Sequence, residues 1–162
     1  MSTLQRTLDY LDQKRIRYSH STHPVAYTAR EVAAVEHMPL HKLAKTVVFL
    51  SQAGYGMAVV PADALVDLED LRTMLGVASL RLATEEELDK LFPGSELGSM
   101  PPFGNLFGLP VLFDSSLVDE QFIGFNAGTH RDLIYMAVGD YLRIVRPAIG
   151  EFAIHAAFTS GL

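Results

Sequence analysis

Two β-rich runs, Thr46 to Leu50 and Tyr55 to Val60, are separated only by Ser51-Gln52-Ala53-Gly54. So short a connection makes the runs pair antiparallel as a hairpin, because a parallel return needs a dozen or more residues. Helices with marked starts surround this hairpin. Ser2 with Gln5, Thr28 with Glu31, and Thr84 with Glu87 have capping-box spacing, in which side chains satisfy the free N–H groups of a first turn. Asp67 caps a helix carrying Leu68, Leu71 and Leu75, with Gly76 as its C′ residue.

The rest of the chain follows the same pattern. Leu4, Leu8 and Leu11 share one face of the first helix, and Ile16 to His20 alternates as a short strand ending near His23-Pro24. The helix through Val32 and Val35 stops before Pro39, and the helix opened by Thr84 stops before Pro93-Gly94. Ala78 to Ala83, Pro110 to Phe113, Gln121 to Phe125 and Asp132 to Val138 read as strands, and Asp140 is expected to cap a last short helix. Gly94 to Gly108 is too rich in Gly and Pro for a regular element, and long loops in compact domains often carry function. With no repeat or linker in view, residues 1–162 are expected to form one α/β domain with a mixed sheet.

Composition narrows the function. Of the 162 residues 49% are hydrophobic and 20% charged, which places the chain among globular proteins. The absence of cysteine excludes a disulfide framework, a thiolate zinc site and a cysteine nucleophile. It agrees with a reducing, cytoplasmic location. Met1 to Arg6 lacks the apolar core of a signal peptide, and runs such as Thr46 to Leu50 are too short to span a bilayer, so no membrane partner is expected. The net charge of −6 argues against broad binding along a nucleic-acid backbone. It leaves room for one or two phosphates at a nucleic-acid end, with Arg30, Lys42, Lys45 and Arg131 as a local positive spot.

Three fragments carry candidate chemistry. Lys45 precedes a buried strand and reads either as a phosphate anchor or as an ordinary solvated lysine. In Gly98-Ser99-Met100-Pro101-Pro102-Phe103-Gly104, glycine permits close approach and the prolines remove competing donors. N–H groups of Gly98, Ser99 and Met100 are then placed to face a carbonyl oxygen, unless the loop is only a rigid connector. His130, after Gly128-Thr129, offers a hydrogen bond or a proton near neutral pH, or is a satisfied turn histidine. Met57, Phe103 and Phe125 read as pocket walls or as core.

A metal site is not expected. His37 and His41 are split by Pro39, and His20 and His23 have no carboxylate close by in sequence. No phosphate-loop, G-x-S-x-G or H-E-x-x-H motif occurs.

These fragments resemble one family. Lys45-Thr46-Val47-Val48-Phe49, Val59-Val60-Pro61-Ala62-Asp63 and the helix from Thr84 to Leu91 are similar to the YbaK/prolyl-tRNA-synthetase-associated editing-domain family. So are Gly98-Ser99-Met100-Pro101-Pro102, Phe125-Asn126-Ala127-Gly128 and Asp140-Tyr141-Leu142-Arg143-Ile144, together spanning about residues 20–147. The resemblance implies a compact, barrel-like mixed α/β fold, no cofactor, and hydrolysis of the ester joining a wrong amino acid to a tRNA 3′ end. Its partners would be the tRNA acceptor end and an aminoacyl-tRNA synthetase. By position, Lys45 would hold the terminal phosphodiester, the Gly98 loop the aminoacyl carbonyl, and His130 the aminoacyl group. Thr46, Ser99, Met100, Pro102, Phe103 and Gly128 would contact substrate, with a small residue such as Ala, Ser, Thr or Cys removed. A non-catalytic module that binds aminoacyl-tRNA or a synthetase is the alternative, followed by a hydrolase of small esters or amides.

Overall fold

The computed structural model describes residues 1–155. The Ser2 hydroxyl accepts from the Gln5 N–H at 3.1 Å and opens α1 (Thr3–Gln13). β1 (Tyr18–Thr22) leads to α2 (Ala29–Val35), capped by Thr28 and finished before Pro39. The hairpin is β2 (Ala44–Ser51) and β3 (Gly54–Pro61), followed by a short β4 (Ala64–Val66). Asp67 accepts from the N–H groups of Glu69 and Asp70 to open α3 (Leu68–Leu75), and Gly76, at φ +66°, closes it in the left-handed region. Then come β5 (Leu80–Leu82) and α4 (Glu85–Leu91), whose Thr84–Glu87 capping box is complete in both directions. The remaining elements are β6 (Val111–Asp114), α5 (Ser115–Val118), β7 (Phe122–Asn126), β8 (Asp132–Ala137), α6 (Val138–Val145), β9 (Ala148–Gly150) and β10 (Ala153–His155).

The strands pair in three groups. A five-stranded mixed sheet runs β5-β2-β3-β6-β9, with β2 antiparallel to β3 and β5 and the β3–β6 and β6–β9 pairs parallel. A three-stranded antiparallel sheet runs β1-β8-β7, and β10 pairs with β4. Among the described residues the two larger sheets are joined in backbone pairing by one bridge, between Leu43 and Gly124, and share a hydrophobic core. The expected barrel is therefore not one continuous ladder among the described residues; the α/β class and the mixed sheet agree with expectation.

Alternation along β3 explains its central place. Met57 and Val59 face one core with Phe103, Phe113, Phe125 and Tyr141, while Ala58 and Val60 face a second with Phe49, Leu71, Leu112 and Phe152. A strand buried on both faces must be apolar throughout, and this one is.

Several expectations change. Asp140 lies inside the first turn of α6, not at its cap; Ala137 holds that position without a side-chain cap. His20 and His23 acquire carboxylates from distant sequence, with Asp132 at 2.7 Å and Glu36 at 3.8 Å. Residues 156–162 of the expected domain, Phe158 among them, lie outside the described residues. Among the described residues no helix is long and apolar enough to cross a membrane.

Candidate functional site

The first residues of β2 provide one wall of a hollow. Lys45 is half-buried there and donates from Nζ to the Ala64 carbonyl at 2.7 Å. An ammonium has three donors, so two remain for a ligand. Burial pulls its pKa below the ordinary lysine value, with the Asp63 carboxylate opposing that shift. Next to it, the Thr46 hydroxyl oxygen is buried with no hydrogen-bond partner.

The loop after α4 forms the second wall. Gly98 adopts φ +84°, a conformation that favours glycine. Ser99 is fully buried, and both its N–H and its hydroxyl donate to the Glu96 carbonyl, at 3.1 and 2.6 Å. Of the three amides expected to face a ligand, that of Ser99 is thus spent inside the loop. The N–H groups of Gly98 and Met100 find no acceptor among the described residues, and both residues line the hollow.

His130 sits on a turn held from several sides. The Thr129 hydroxyl accepts from the Arg131 and Asp132 N–H groups at 3.0 Å each and donates to the Asp132 carboxylate at 2.6 Å. The His130 N–H donates to the Glu96 carboxylate at 2.6 Å, and the Glu96 N–H donates to the Gly128 carbonyl at 2.8 Å. The Gly128 N–H in turn donates to the Ser99 carbonyl at 2.8 Å. Loop and turn are stitched together, with Glu96 in the middle. The imidazole carbon Cε1 lies 3.8 Å from where a Cβ on Gly98 would stand, and its Nδ1 is buried without a partner.

The hollow encloses about 170 Å³. Lys45, Thr46, Gly98 and Met100 line it, and the His130 ring stands beside Gly98 and against the ring of Tyr27, which lines it too. Leu43, Ala44 and Ala62 make it apolar on one side. Asn126, at the end of β7, also lines it and keeps a buried side-chain oxygen with no partner. Buried polar atoms are normally paired, so the orphans at Thr46 and Asn126, which line the hollow, fit a polar ligand that completes them.

The remaining expected contacts stand behind the wall. The Pro102 carbonyl accepts from the Tyr141 hydroxyl at 2.5 Å, and Phe103 is fully buried against Tyr10, Phe125 and Tyr141. Gly128, at φ +95°, faces α1; a Cβ there would lie 2.9 Å from the Thr3 Cβ. These residues brace the loop and do not line the hollow. Tyr27 and Asn126 were not expected. Tyr27 immediately precedes a capping box and Asn126 ends a strand, positions whose sequence context points only to turn chemistry.

An arrangement of one cation, two unspent amides and orphaned polar atoms around a small apolar-backed space suits an ester flanked by a phosphate. Comparison with known proteins gives the family. Residues 23–144 match the family model described as the aminoacyl-tRNA editing domain, and the chain belongs to that family. The Escherichia coli (strain K12) protein named multifunctional Ser/Thr-tRNA deacylase ProXp-y is 30% identical over 159 residues, covering 93% of this chain and 92% of that one. The proline–tRNA ligase of Thermosipho africanus (strain TCF52B) is 36% identical over 81 residues, 50% of this chain and 14% of the ligase. A solved structure described as a candidate trans-editing enzyme for prolyl tRNA synthetase superposes with a TM-score of 0.83 at 23% identity, covering 95% of this chain and 98% of that one. At that identity the last likeness speaks for the fold alone.

Proposed function

We propose that the chain is a trans-editing aminoacyl-tRNA deacylase that hydrolyses the ester of a tRNA mischarged with a small residue such as Ala, Ser, Thr or Cys. The observation that supports this reading is that Lys45, Gly98 and Met100 line one hollow, with the His130 ring beside Gly98. Lys45 holds the terminal phosphodiester through its two spare donors. The Gly98 and Met100 amides receive the negative charge that develops on the carbonyl oxygen. His130 orients the aminoacyl group through Nδ1.

An aminoacyl ester is already activated, so no protein nucleophile is needed. Water adds to the carbonyl carbon, the carbon–oxygen bond to the ribose breaks, and the ribose hydroxyl leaves with a proton that originates from the water. Positioning and charge stabilisation supply the rate. The partner is the acceptor end of tRNA, delivered free or from a synthetase, and the place of work is the cytoplasm. The service to the cell is translation fidelity.

The test is release of amino acid from Ala-, Ser-, Thr- and Cys-charged tRNAs by the wild type and by Lys45→Ala. Loss of a hydrogen bond to a charged group predicts a fall of about 10- to 100-fold in kcat/KM. Equal rates in the two proteins overturn the assignment of Lys45. Tight binding without turnover by the wild type replaces the enzyme with a binding module.

A further inference from the structure

Tyr27 lines the hollow and has no part in the chemistry above. Tyr27 is 71% exposed, although its neighbour Ala26 is buried at 1%. Isolated exposed aromatics are common and need no explanation. Tyr27 differs in its setting, because it stands on the wall of the hollow and its ring meets that of His130 at 4.9 Å and 60°. Its backbone is also held. The Ala26 N–H donates to the His130 carbonyl at 3.0 Å, the His23 N–H to the Arg131 carbonyl at 2.8 Å, and Thr28 caps α2. The segment is a strap across the His130 turn, so the ring is presented from a fixed base.

The terminal nucleotide of an aminoacyl-tRNA branches three ways from its ribose: to the phosphodiester, to the ester and to the base. The proposed reaction engages the first two, through Lys45 and through the Gly98 loop. The base is left for another surface beside the same hollow. An exposed aromatic ring on the wall of the hollow, carried on a held backbone, is a stacking surface, and stacking is a standard way for proteins to hold an unpaired base.

We propose that Tyr27 is a stacking platform for the 3′-terminal adenine of tRNA, an inference that rests on the deacylase reading. Specificity for the base is modest, since every base has a π-face. What the contact adds is orientation, turning the ester toward the loop amides.

The experiment compares two tRNA microhelices bearing a non-hydrolysable 3′-seryl amide, one ending in adenosine and one in an abasic ribose. Affinities are measured for wild type, Tyr27→Ala and Tyr27→Phe, with turnover of Ser-charged tRNA followed alongside. Wild type and Tyr27→Phe should favour the base-bearing end by about 5- to 160-fold, the range for one base on one aromatic ring. Tyr27→Ala should lose that preference while binding the abasic end as wild type does. Equal wild-type affinity for both ends, or an equal loss on both ends in Tyr27→Ala, overturns the platform. If turnover persists in that case, the deacylase reading stands without it; if the wild type neither binds nor hydrolyses, both fall.

Discussion

Asp132 illustrates how far one side chain reaches. Its carboxylate accepts from the Thr129 hydroxyl at 2.6 Å and the Thr22 hydroxyl at 3.2 Å, and meets His20 Nε2 at 2.7 Å, tying β1 to the turn that carries His130. Burial works against its ionisation, but the hydrogen bonds from Thr129, His20 and Thr22 outweigh it and hold the carboxyl below its usual 3.8. A depressed carboxyl contributes stability that is complete above the unfolded value and is lost as pH falls through the folded one. Wild-type stability, followed by denaturant unfolding at a series of pH values, should therefore decline below about pH 3.8, and Asp132→Asn should flatten that decline. An unchanged slope in the variant would remove Asp132 from the account. At this scale Lys45, Gly98 and His130 stand out in the sequence as candidates because each brings a chemistry that its neighbours lack. Glu96, Tyr27 and Asn126 do not, because their contacts around the hollow are made with partners brought together only by folding.

Among the elements, those with their own local signals were legible. The β2–β3 hairpin and the starts of α1, α2, α3 and α4 follow from turn and cap residues that act within a few positions. β4, β9, β10 and α5 are three or four residues long and carry no period to read. They exist because a neighbouring strand or helix offers them a place. The turn before β8 is bound closely to α1, since Gly128 packs directly on Thr3 and Leu4. Gly128→Ala should cost about 1–3 kcal/mol from the left-handed backbone alone, read as a drop in thermal unfolding temperature. It should also lower deacylation, because the Gly128 amide and carbonyl fasten the Gly98 loop. A variant as stable and as active as wild type would show that the turn tolerates a side chain.

For the molecule as a whole, charge and architecture set how a large polyanion is met. A body of net charge −6 repels RNA at long range, so binding must come from a few contacts at its end. With one or two phosphates engaged on a single-stranded end, the logarithm of the association constant should fall against that of salt with a slope of roughly −0.7 to −1.4. Titrations of a tRNA microhelix at several salt concentrations measure it, and a slope several times steeper would mean that an extended face is used. The mixed α/β class was readable from hairpin and helix order, whereas the division into separate ladders was not, since it depends on where β7 stops pairing. That division has a consequence. The hollow takes Lys45 and Thr46 from the edge of one sheet and Asn126 from the other, near the lone bridge between Leu43 and Gly124. A guest lodged there acts as a rivet between the two ladders, adding polar ties to a seam that the described residues close chiefly by apolar packing.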